Sequence, residues 1–297
     1  MDNKKAKEKY QTSKWLIKRY KRSTYIAYFI SGSIALITIL LYFSNIIKSS
    51  IIEDYIQFVF ILVYLIHKGI THQSRKKLSE FRNTLKNQII KEELHENTNG
   101  WNYKIEGKME HNFKINCLDL VPAYDKYESE DYIWGKTNKN QKFNFYEIDL
   151  KEKRKTKNKT YYVSIFKGHI VEVDHNLTLK NSINIKPNSK MLNLIADKKT
   201  RIKLESTEFE KQFDAYSNDQ IEARKVLTPK FIDSINQLAE QDIHSIKITP
   251  TSMIIVSKRK YDYFNLGHFT KEINIIRYKK QIKADIKNIH NYFNIIN

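Results

Sequence analysis

The sequence predicts an α+β protein: a two-helix transmembrane hairpin followed by a soluble mixed α/β domain with an antiparallel sheet and a long C-terminal helix. Three observations predict this fold class. An uncharged apolar run occupies residues 24–47, strand-like alternation fills the middle of the chain, and a seven-residue repeat of isoleucine ends it. A helix needs about 20 mostly apolar residues to cross a bilayer, and the period of the apolar pattern distinguishes strands from helices.

The transmembrane hairpin is predicted at residues 24–70, and its first span, Thr24–Ile47, carries no charge. That run is long enough to cross the hydrocarbon core with some tilt. The second span is predicted at Ile51–Ile70, but its uncharged core, Tyr55–Ile66, is short for a crossing. A buried or re-entrant helix is therefore the alternative for the second span, and a cleaved signal peptide is the weaker alternative for the first.

Basic residues flank the hairpin on its two outer sides. Nine Lys and Arg residues precede Thr24, four lie within residues 68–77, and the link between the spans holds only Lys48. By the positive-inside rule, both termini are expected in the cytoplasm and the chain is expected to be multi-pass. Residues 1–23 are predicted to form a basic cytoplasmic segment, either an interfacial helix or, over the first ten residues, a disordered tail.

A helical stalk is predicted at residues 71–100, between the hairpin and a soluble domain at residues 101–297. The run from Asn97 to Gly100 predicts the end of its helix. The apolar residues of the stalk recur at spacings of three and four, which is typical of one helix face: Leu78, Phe81, Leu85 and Ile89.

The formal net charge of +19, from 52 basic and 33 acidic residues, suggests an anionic partner. Topology and anionic lipid explain most of the N-terminal share. The rest is spread over the domain and is densest at Lys151–Lys159 and along the final helix. Since no nucleic-acid-binding motif accompanies it, no specific nucleic acid is expected as a partner. The single cysteine, Cys117, excludes an internal disulfide and fits a reducing compartment.

Most of the predicted strands lie between residues 127 and 204. Five Thr, Asn, Lys and Gln residues at 137–141 separate two strand-like runs and predict a hairpin. A short helix is predicted at Asn112–Leu120. The predicted strands are Tyr127–Lys136, Lys142–Leu150, Tyr161–Val173, Ile183–Lys186, Ile202–Leu204 and two strands within Ser245–Lys258, on either side of Pro250.

Three capping patterns predict helix starts between residues 205 and 241. The first begins at Thr207 and predicts a helix with Phe209, Phe213 and Tyr216 on one face. The second is a capping box from Ser217 to Gln220, and the third is Thr228 followed by Pro229.

The closing helix is predicted at Thr270–Ile296. Four isoleucines recur every seven residues along it, from Ile275 to Ile296. This stripe is interpreted as a helix lying on its own domain, with a coiled-coil seam as the alternative.

Three stretches of the chain carry a family resemblance: Tyr127–Gly135, Ile165–Gly168, and a longer stretch comprising Lys203–Phe213, Tyr216–Arg224 and Leu227–Pro229. They resemble the DUF3137 family, a bacterial membrane-anchored domain of unknown function. The resemblance implies a bacterial membrane protein, and hence a place in the bacterial inner membrane. It implies no catalytic residues, because none can be carried over from the family.

Asp219, Gln220, Glu222 and Arg224 form the candidate binding site. Paired carboxylates beside an arginine could bind a cation or polarise a substrate. The structural alternative is that Ser217 and Gln220 form the reciprocal hydrogen bonds of a capping box, and that the acidic residues are favourable in the first turn of a helix. Asp131 is a further binding candidate, with a strand end before a tight turn as its structural alternative. No catalytic constellation or metal motif is present, so no catalytic residue, metal or cofactor is predicted.

These observations predict a non-catalytic binding or scaffold module on the cytoplasmic face of the membrane. Its partners would be the lipid bilayer, through Thr24–Ile47 and Ile51–Ile70, and another membrane-associated protein or a second copy of the chain. The alternative is a small-ligand sensor or an unrecognised hydrolase with its site near Asp219, Glu222 and Arg224.

Overall fold

The computed structural model describes residues 3–44, 49–107, 119–157, 159–188, 200–239, 243–258 and 262–296. The chain divides into two units. The first consists of Met1–Gln88 and Leu266–Lys279, and the second of Ile89–Asn265 and Lys280–Asn297.

Two long helices make up most of the first unit: α1 at Asn3–Phe43 and α2, which begins at Ser49 and continues through Asn97. The predicted second span and the predicted stalk are therefore parts of one uninterrupted helix. The helix ends at Asn97, and three residues later Gly100 adopts a positive φ of 77°, which favours glycine. The last residues of the predicted first span, 45–47, lie outside the described residues.

The basic ends of α1 and α2 pack together within the first unit. Leu16 and Ile17 of α1 are buried with Leu78 of α2 in one apolar cluster, against which Phe269 packs. The Arg82 guanidinium donates to the backbone carbonyls of Leu266 and Gly267, at 3.3 and 2.6 Å. The predicted basic segment is thus helical from Asn3, and its apolar residues at 16 and 17 contact protein.

Further along, the two helices leave large apolar side chains exposed. Phe29 is 78% exposed, and many other large apolar side chains on both helices are also exposed. One helix, Lys7–Leu41, is long and apolar enough to cross a membrane, by length and composition, among the residues that the structure describes. The described residues therefore contain one candidate membrane helix, where the sequence predicted two.

The second unit is built on a nine-stranded sheet, counted over the described residues, in which all neighbouring strands are antiparallel. The strands lie in the order β1-β2-β3-β4-β9-β8-β5-β7-β6. Their bounds are β1 Asn102–Ile105, β2 Lys126–Lys136, β3 Lys142–Lys155, β4 Thr160–Asp174, β5 Ile183–Pro187, β6 Arg201–Ile202, β7 Phe213–Ser217, β8 Ile243–Ile248 and β9 Ser252–Lys258.

The hairpin between β2 and β3 closes where it was predicted, with the Thr137 N–H donating to the Gln141 carbonyl at 2.8 Å. The strands β4, β5, β8 and β9 also match their predictions. Strand β6 is shorter than predicted, because the Leu204 N–H leaves the sheet and donates to the Glu210 carboxylate at 2.9 Å. Most of the short helix predicted at 112–120 lies outside the described residues.

Helix α3, Thr207–Gln212, is shorter than the sequence predicted. Phe213 and Tyr216 were expected on its apolar face, but they belong to β7. Strand β7 pairs with β5 on one side and β6 on the other. Ladder hydrogen bonds to two strands therefore override the local helical spacing.

Three more helices follow α3, and the last one begins in the first unit and continues into the second. They are α4 at Gln220–Val226, α5 at Pro229–Ala239 and α6 at Ile275–Phe293, which is followed by a 3₁₀ turn at Asn294–Ile296. Thr228 caps α5 as predicted, since its hydroxyl accepts from the Phe231 N–H at 3.3 Å. The end of α6 lies on its own unit, with the Phe293 ring 4.7 Å from that of Phe143.

Candidate functional site

Asp219, rather than Ser217, is the N-cap of α4. Its carboxylate accepts from the Glu222 N–H at 2.9 Å. Ser217 ends β7, and its hydroxyl accepts from the Asp219 N–H at 3.3 Å. The Gln220 side-chain amide donates to the Arg201 carbonyl at 3.4 Å. The expected reciprocal cap between Ser217 and Gln220 is therefore wrong, because Ser217 is held in the sheet two residues before the helix begins.

Glu222 has a structural role that the sequence did not suggest. Its two carboxylate oxygens accept from the backbone N–H groups of Lys180 and Asn181, at 2.8 and 3.1 Å. These bonds fix the loop before β5 to α4. Arg224 is exposed on the same helix. The four predicted residues are thus neighbours in the chain, and three of them carry bonds that shape the backbone. Ligand binding by this group stays a prediction.

Asp131 lies inside β2 rather than at its end, and it is buried at a bulge between Ser129 and Tyr132. The Tyr103 hydroxyl donates a short hydrogen bond to it from β1. The expectation of a strand end was wrong, because β2 continues to Lys136 after the bulge. A bulge turns one side chain towards a different neighbour. Here the Asp131 carboxylate lies near the carboxyl of Asp285 on α6, which is also buried.

A buried polar row crosses the sheet beside Asp131. Glu147 of β3 pairs in register with His169 of β4, and His169 pairs with Ser257 of β9. The His169 Nε2 lies 3.9 Å from the Glu147 carboxylate, and its Nδ1 lies 3.4 Å from the Ser257 hydroxyl. The Ser257 hydroxyl is also 2.9 Å from the hydroxyl of Tyr292 on α6.

This row contains the residue types of a hydrolytic triad, but its geometry does not suit one. The side chains of Glu147 and His169 and the whole of Ser257 are at most 3% exposed. A nucleophile must reach a substrate, and it must share a short hydrogen bond with its base. The distances here are long and the serine is shared with a tyrosine. The row therefore acts as a polar core that links sheet and helix.

Glu147 of this row and two neighbouring carboxylates could together hold a cation. One oxygen from each of Glu130, Glu147 and Asp262 lies within 4.8 Å of the other two. Oxygen ligands of this kind suit hard divalent cations. Neither sequence spacing nor a motif connects the three residues. The only available signal was Glu147 itself, a charged residue on the same strand face as Phe143 and Phe145.

Asp285 of α6 extends this acidic group. It accepts from the Phe264 N–H at 2.9 Å. The pKa of the Asp285 carboxyl is raised to about 7, chiefly by burial; the Phe264 N–H opposes the rise, and the charges of Asp131 and Asp262 add to it. Burial also raises the pKa of the neighbouring Tyr263 hydroxyl. Near neutral pH a part of the Asp285 carboxyl population is therefore still protonated.

A separate cleft of about 230 Å³ lies between the β2–β3 turn and the end of α6. The His290 imidazole stacks at 4.5 Å on the Trp101 ring, and burial lowers its pKa. The lining offers amides, a hydroxyl and one cation, which would suit a small polar ligand: Thr137, Asn138, Lys139, Gln141, His290, Phe293 and Asn294.

Residues 164–297 match the model of a protein family, DUF3137, described as a protein of unknown function. The predicted resemblance is therefore confirmed over this part of the chain. Among curated proteins, no match was found. Among solved structures, the mycobacterial trehalose monomycolate transport factor A, TtfA, is similar at a TM-score of 0.37 and 7% identity, over 71% of this chain and 96% of that one. At that TM-score the similarity carries no argument.

Proposed function

Because residues 164–297 match the model of the DUF3137 family, we propose that this protein is a membrane-anchored binding module of bacteria. A hairpin of α1 and α2 crosses the inner membrane twice, and both termini lie in the cytoplasm. The second unit is held at the cytoplasmic face, where it binds another membrane-associated protein or a second copy of the chain.

The exposed apolar surface of the helices carries this proposal. Soluble proteins seldom expose contiguous apolar patches of more than a few hundred Å². Here consecutive turns of both helices expose large apolar side chains, and only 6% of the most apolar window of Lys7–Leu41 is buried. Lipid is the solvent that such a surface suits. The exposed residues include Tyr25, Phe29, Leu36, Leu40, Phe43, Phe58, Leu62 and Leu65.

The pairing of α1 with α2 supports a second crossing. Residues later in α1 contact residues earlier in α2. The Lys9 ammonium lies 2.6 Å from the Gln88 amide oxygen, and the Tyr28 ring lies 4.8 Å from the His67 ring. The helices are therefore antiparallel neighbours, and a bilayer around the apolar half of α1 would also surround that of α2. The basic ends of the two helices would then lie on the same side of the membrane. By the positive-inside rule, that side is the cytoplasmic one.

Cysteine labelling tests the topology in the full-length chain, with Cys117→Ser as the background. A matched pair, Ser44→Cys near the link and Gln73→Cys beyond the second span, would be exposed in turn to a membrane-impermeant maleimide. We expect Ser44→Cys to react in cells whose inner membrane is intact, and Gln73→Cys to react only after that membrane is permeabilised. Reaction of both in intact cells would contradict the two-span topology, and extraction of the chain by carbonate would contradict insertion.

Crosslinking from a tag at Asn297 tests the binding function. We expect a near-stoichiometric protein, or a second copy, to be captured by the detergent-extracted full-length chain. Turnover of a nucleotide, phosphoester or peptide by that preparation, lost on changing one residue, would contradict it. Glu222→Ala with Arg224→Ala tests the alternative site in the same assay. That alternative, a ligand sensor or hydrolase, draws no support from the backbone bonds of Asp219 and Glu222.

A further inference from the structure

Strands β3 and β4 extend beyond the rest of the sheet as a two-stranded ribbon. The pairing of β2 with β3 ends at the pair Lys126 and Lys151, and the pairing of β4 with β9 begins at Gly168. A bulge between Leu150 and Lys151 marks the point where β3 leaves the core. The ribbon, residues 151–164, is closed by a tight turn in which the Thr156 N–H donates to the Lys159 carbonyl at 2.8 Å.

The ribbon concentrates positive charge. Residues 151–159 contain six basic residues and one acidic residue, Glu152. Lys151 pairs with Glu128 at the base, and Arg154 pairs with Glu152 at 3.1 Å. The other cations are exposed, and no carboxylate among the described residues lies within ion-pair distance of them: Lys153, Lys155, Lys157 and Lys159.

Such a ribbon is not explained by the stability of the fold. A two-stranded hairpin outside a sheet is marginally stable in water, and like charges close together destabilise it further. The side chains of residues 152–157, which the structure describes, are all exposed. An anionic surface would remove the repulsion among the four lysines, so the charge pattern points to an anionic partner.

Two exposed aromatic residues distinguish between anionic partners. Tyr161 and Tyr162 are 45% and 47% exposed. They lie opposite Arg154 and Lys153 in the register, and because they are consecutive in a strand, their rings lie on opposite faces of the ribbon. A single-stranded nucleic acid stacks its bases on a continuous aromatic platform, which two opposite faces do not offer. Tyrosine beside lysine is typical of the lipid headgroup region.

We propose that the ribbon docks on the anionic surface of a lipid bilayer, with its lysines at the phosphate groups and Tyr162, which pairs with Lys153 in the register, among the headgroups. This inference rests on the proposed function, because the membrane helix keeps a bilayer at high effective concentration near the ribbon. The ribbon would add a second, salt-sensitive contact to the anchor and restrict where the second unit stands on the membrane.

A local reporter tests the proposal, because the anchor by itself holds the chain in any bilayer. The full-length chain, with Cys117→Ser and Thr160→Cys, is labelled with an environment-sensitive fluorophore and placed in nanodiscs. One set contains phosphatidylglycerol with phosphatidylcholine, and the other contains phosphatidylcholine alone. We expect a blue shift, and quenching by spin-labelled lipid, in the anionic nanodiscs only. Both signals should fall as the salt concentration is raised.

Charge variants give the expected magnitude. A lysine near an anionic surface is worth about a fivefold change in the docking equilibrium. Replacing the four exposed lysines of the ribbon with glutamine should therefore reduce docking at least about 100-fold. The matched control replaces four lysines outside the ribbon with glutamine, at Lys180, Lys203, Lys211 and Lys225, and should leave the signal unchanged.

Three results would overturn the proposal: a reporter that stays in water in anionic nanodiscs, an equal loss in the control variant, or displacement of the ribbon from anionic lipid by a single-stranded RNA oligonucleotide. Failure of this inference is distinct from failure of the proposed function. A chain that enters nanodiscs with its reporter in water retains the anchor and loses only the docking contact. A chain that does not enter nanodiscs loses both.

Discussion

Asp285 is expected to make the second unit less stable as the pH rises. The side chain is 7% exposed, and its pKa is raised from 3.8 to about 7, chiefly by burial. In the unfolded chain the same carboxyl titrates near 3.9. Between these values the folded state holds a proton that the unfolded state has lost. The free energy of unfolding therefore falls as the pH rises from about 4 to about 7.

The substitution Asp285→Asn should remove this dependence. One pKa unit corresponds to about 1.4 kcal/mol, so the rise from 3.8 to about 7 amounts to about 4 kcal/mol. Asparagine keeps an oxygen that can accept from the Phe264 N–H, and it cannot ionise. We expect the variant to exceed the natural chain in stability by up to about 4 kcal/mol at pH 8, and to differ from it by less than about 1 kcal/mol at pH 4.

Urea titration of the full-length chain in mild detergent measures the effect. The fluorescence of Trp101 and Trp134 reports on the second unit, to which both belong. Asp233→Asn, at an exposed position of α5, is the matched control and should keep the slope of stability against pH. An Asp285→Asn variant with the same slope as the natural chain would refute the reasoning, because another group would then carry the proton.

Four further substitutions test local contacts of the fold, each by the urea midpoint. Gly168→Ala would place its new methyl carbon against the Ser257 carbonyl oxygen, closer than van der Waals contact allows, so it should cost about 1–3 kcal/mol or more; a neutral effect would refute the close approach. Glu222→Ala leaves two loop N–H groups without their acceptor and should cost about 1–3 kcal/mol. Its control, Arg224→Ala at an exposed position, should change stability by under about 0.5 kcal/mol. Equal costs would contradict the structural role given to Glu222. Thr228→Ala removes a helix cap and should cost about 1 kcal/mol, and no loss would show that the cap is dispensable.

The strands of the sheet were largely predictable because their signal is local. β2, β3, β4, β8 and β9 each combine apolar alternation with clear turn residues, and the structure has them within a few residues of the predicted bounds. The pair Thr228 and Pro229 likewise predicts the start of α5 from two neighbouring residues. Patterns of this kind need no knowledge of the rest of the chain.

Strand β7 shows where local signals fail. Residues 209–216 have the spacing of a helix face, yet the last four of them form a strand. That strand exists because β5 and β6, which precede it in the chain, supply hydrogen bonds on both of its edges. The sequence predicted both partner strands but not that they would flank residues 213–217, so the helical spacing was the only signal available for those residues.

The sequence by itself determined the fold class, the apolar N-terminal helix, the basic ribbon tract and most strands, since each follows from the spacing of residues close together in the chain. Only the tertiary structure decided which polar residues meet. Asp131, Glu147, His169 and Asp285 come from three strands and a helix and are separated by up to 154 positions. Their pairing depends on strand order and register, and burial among them shifts a pKa that a free side chain would not show.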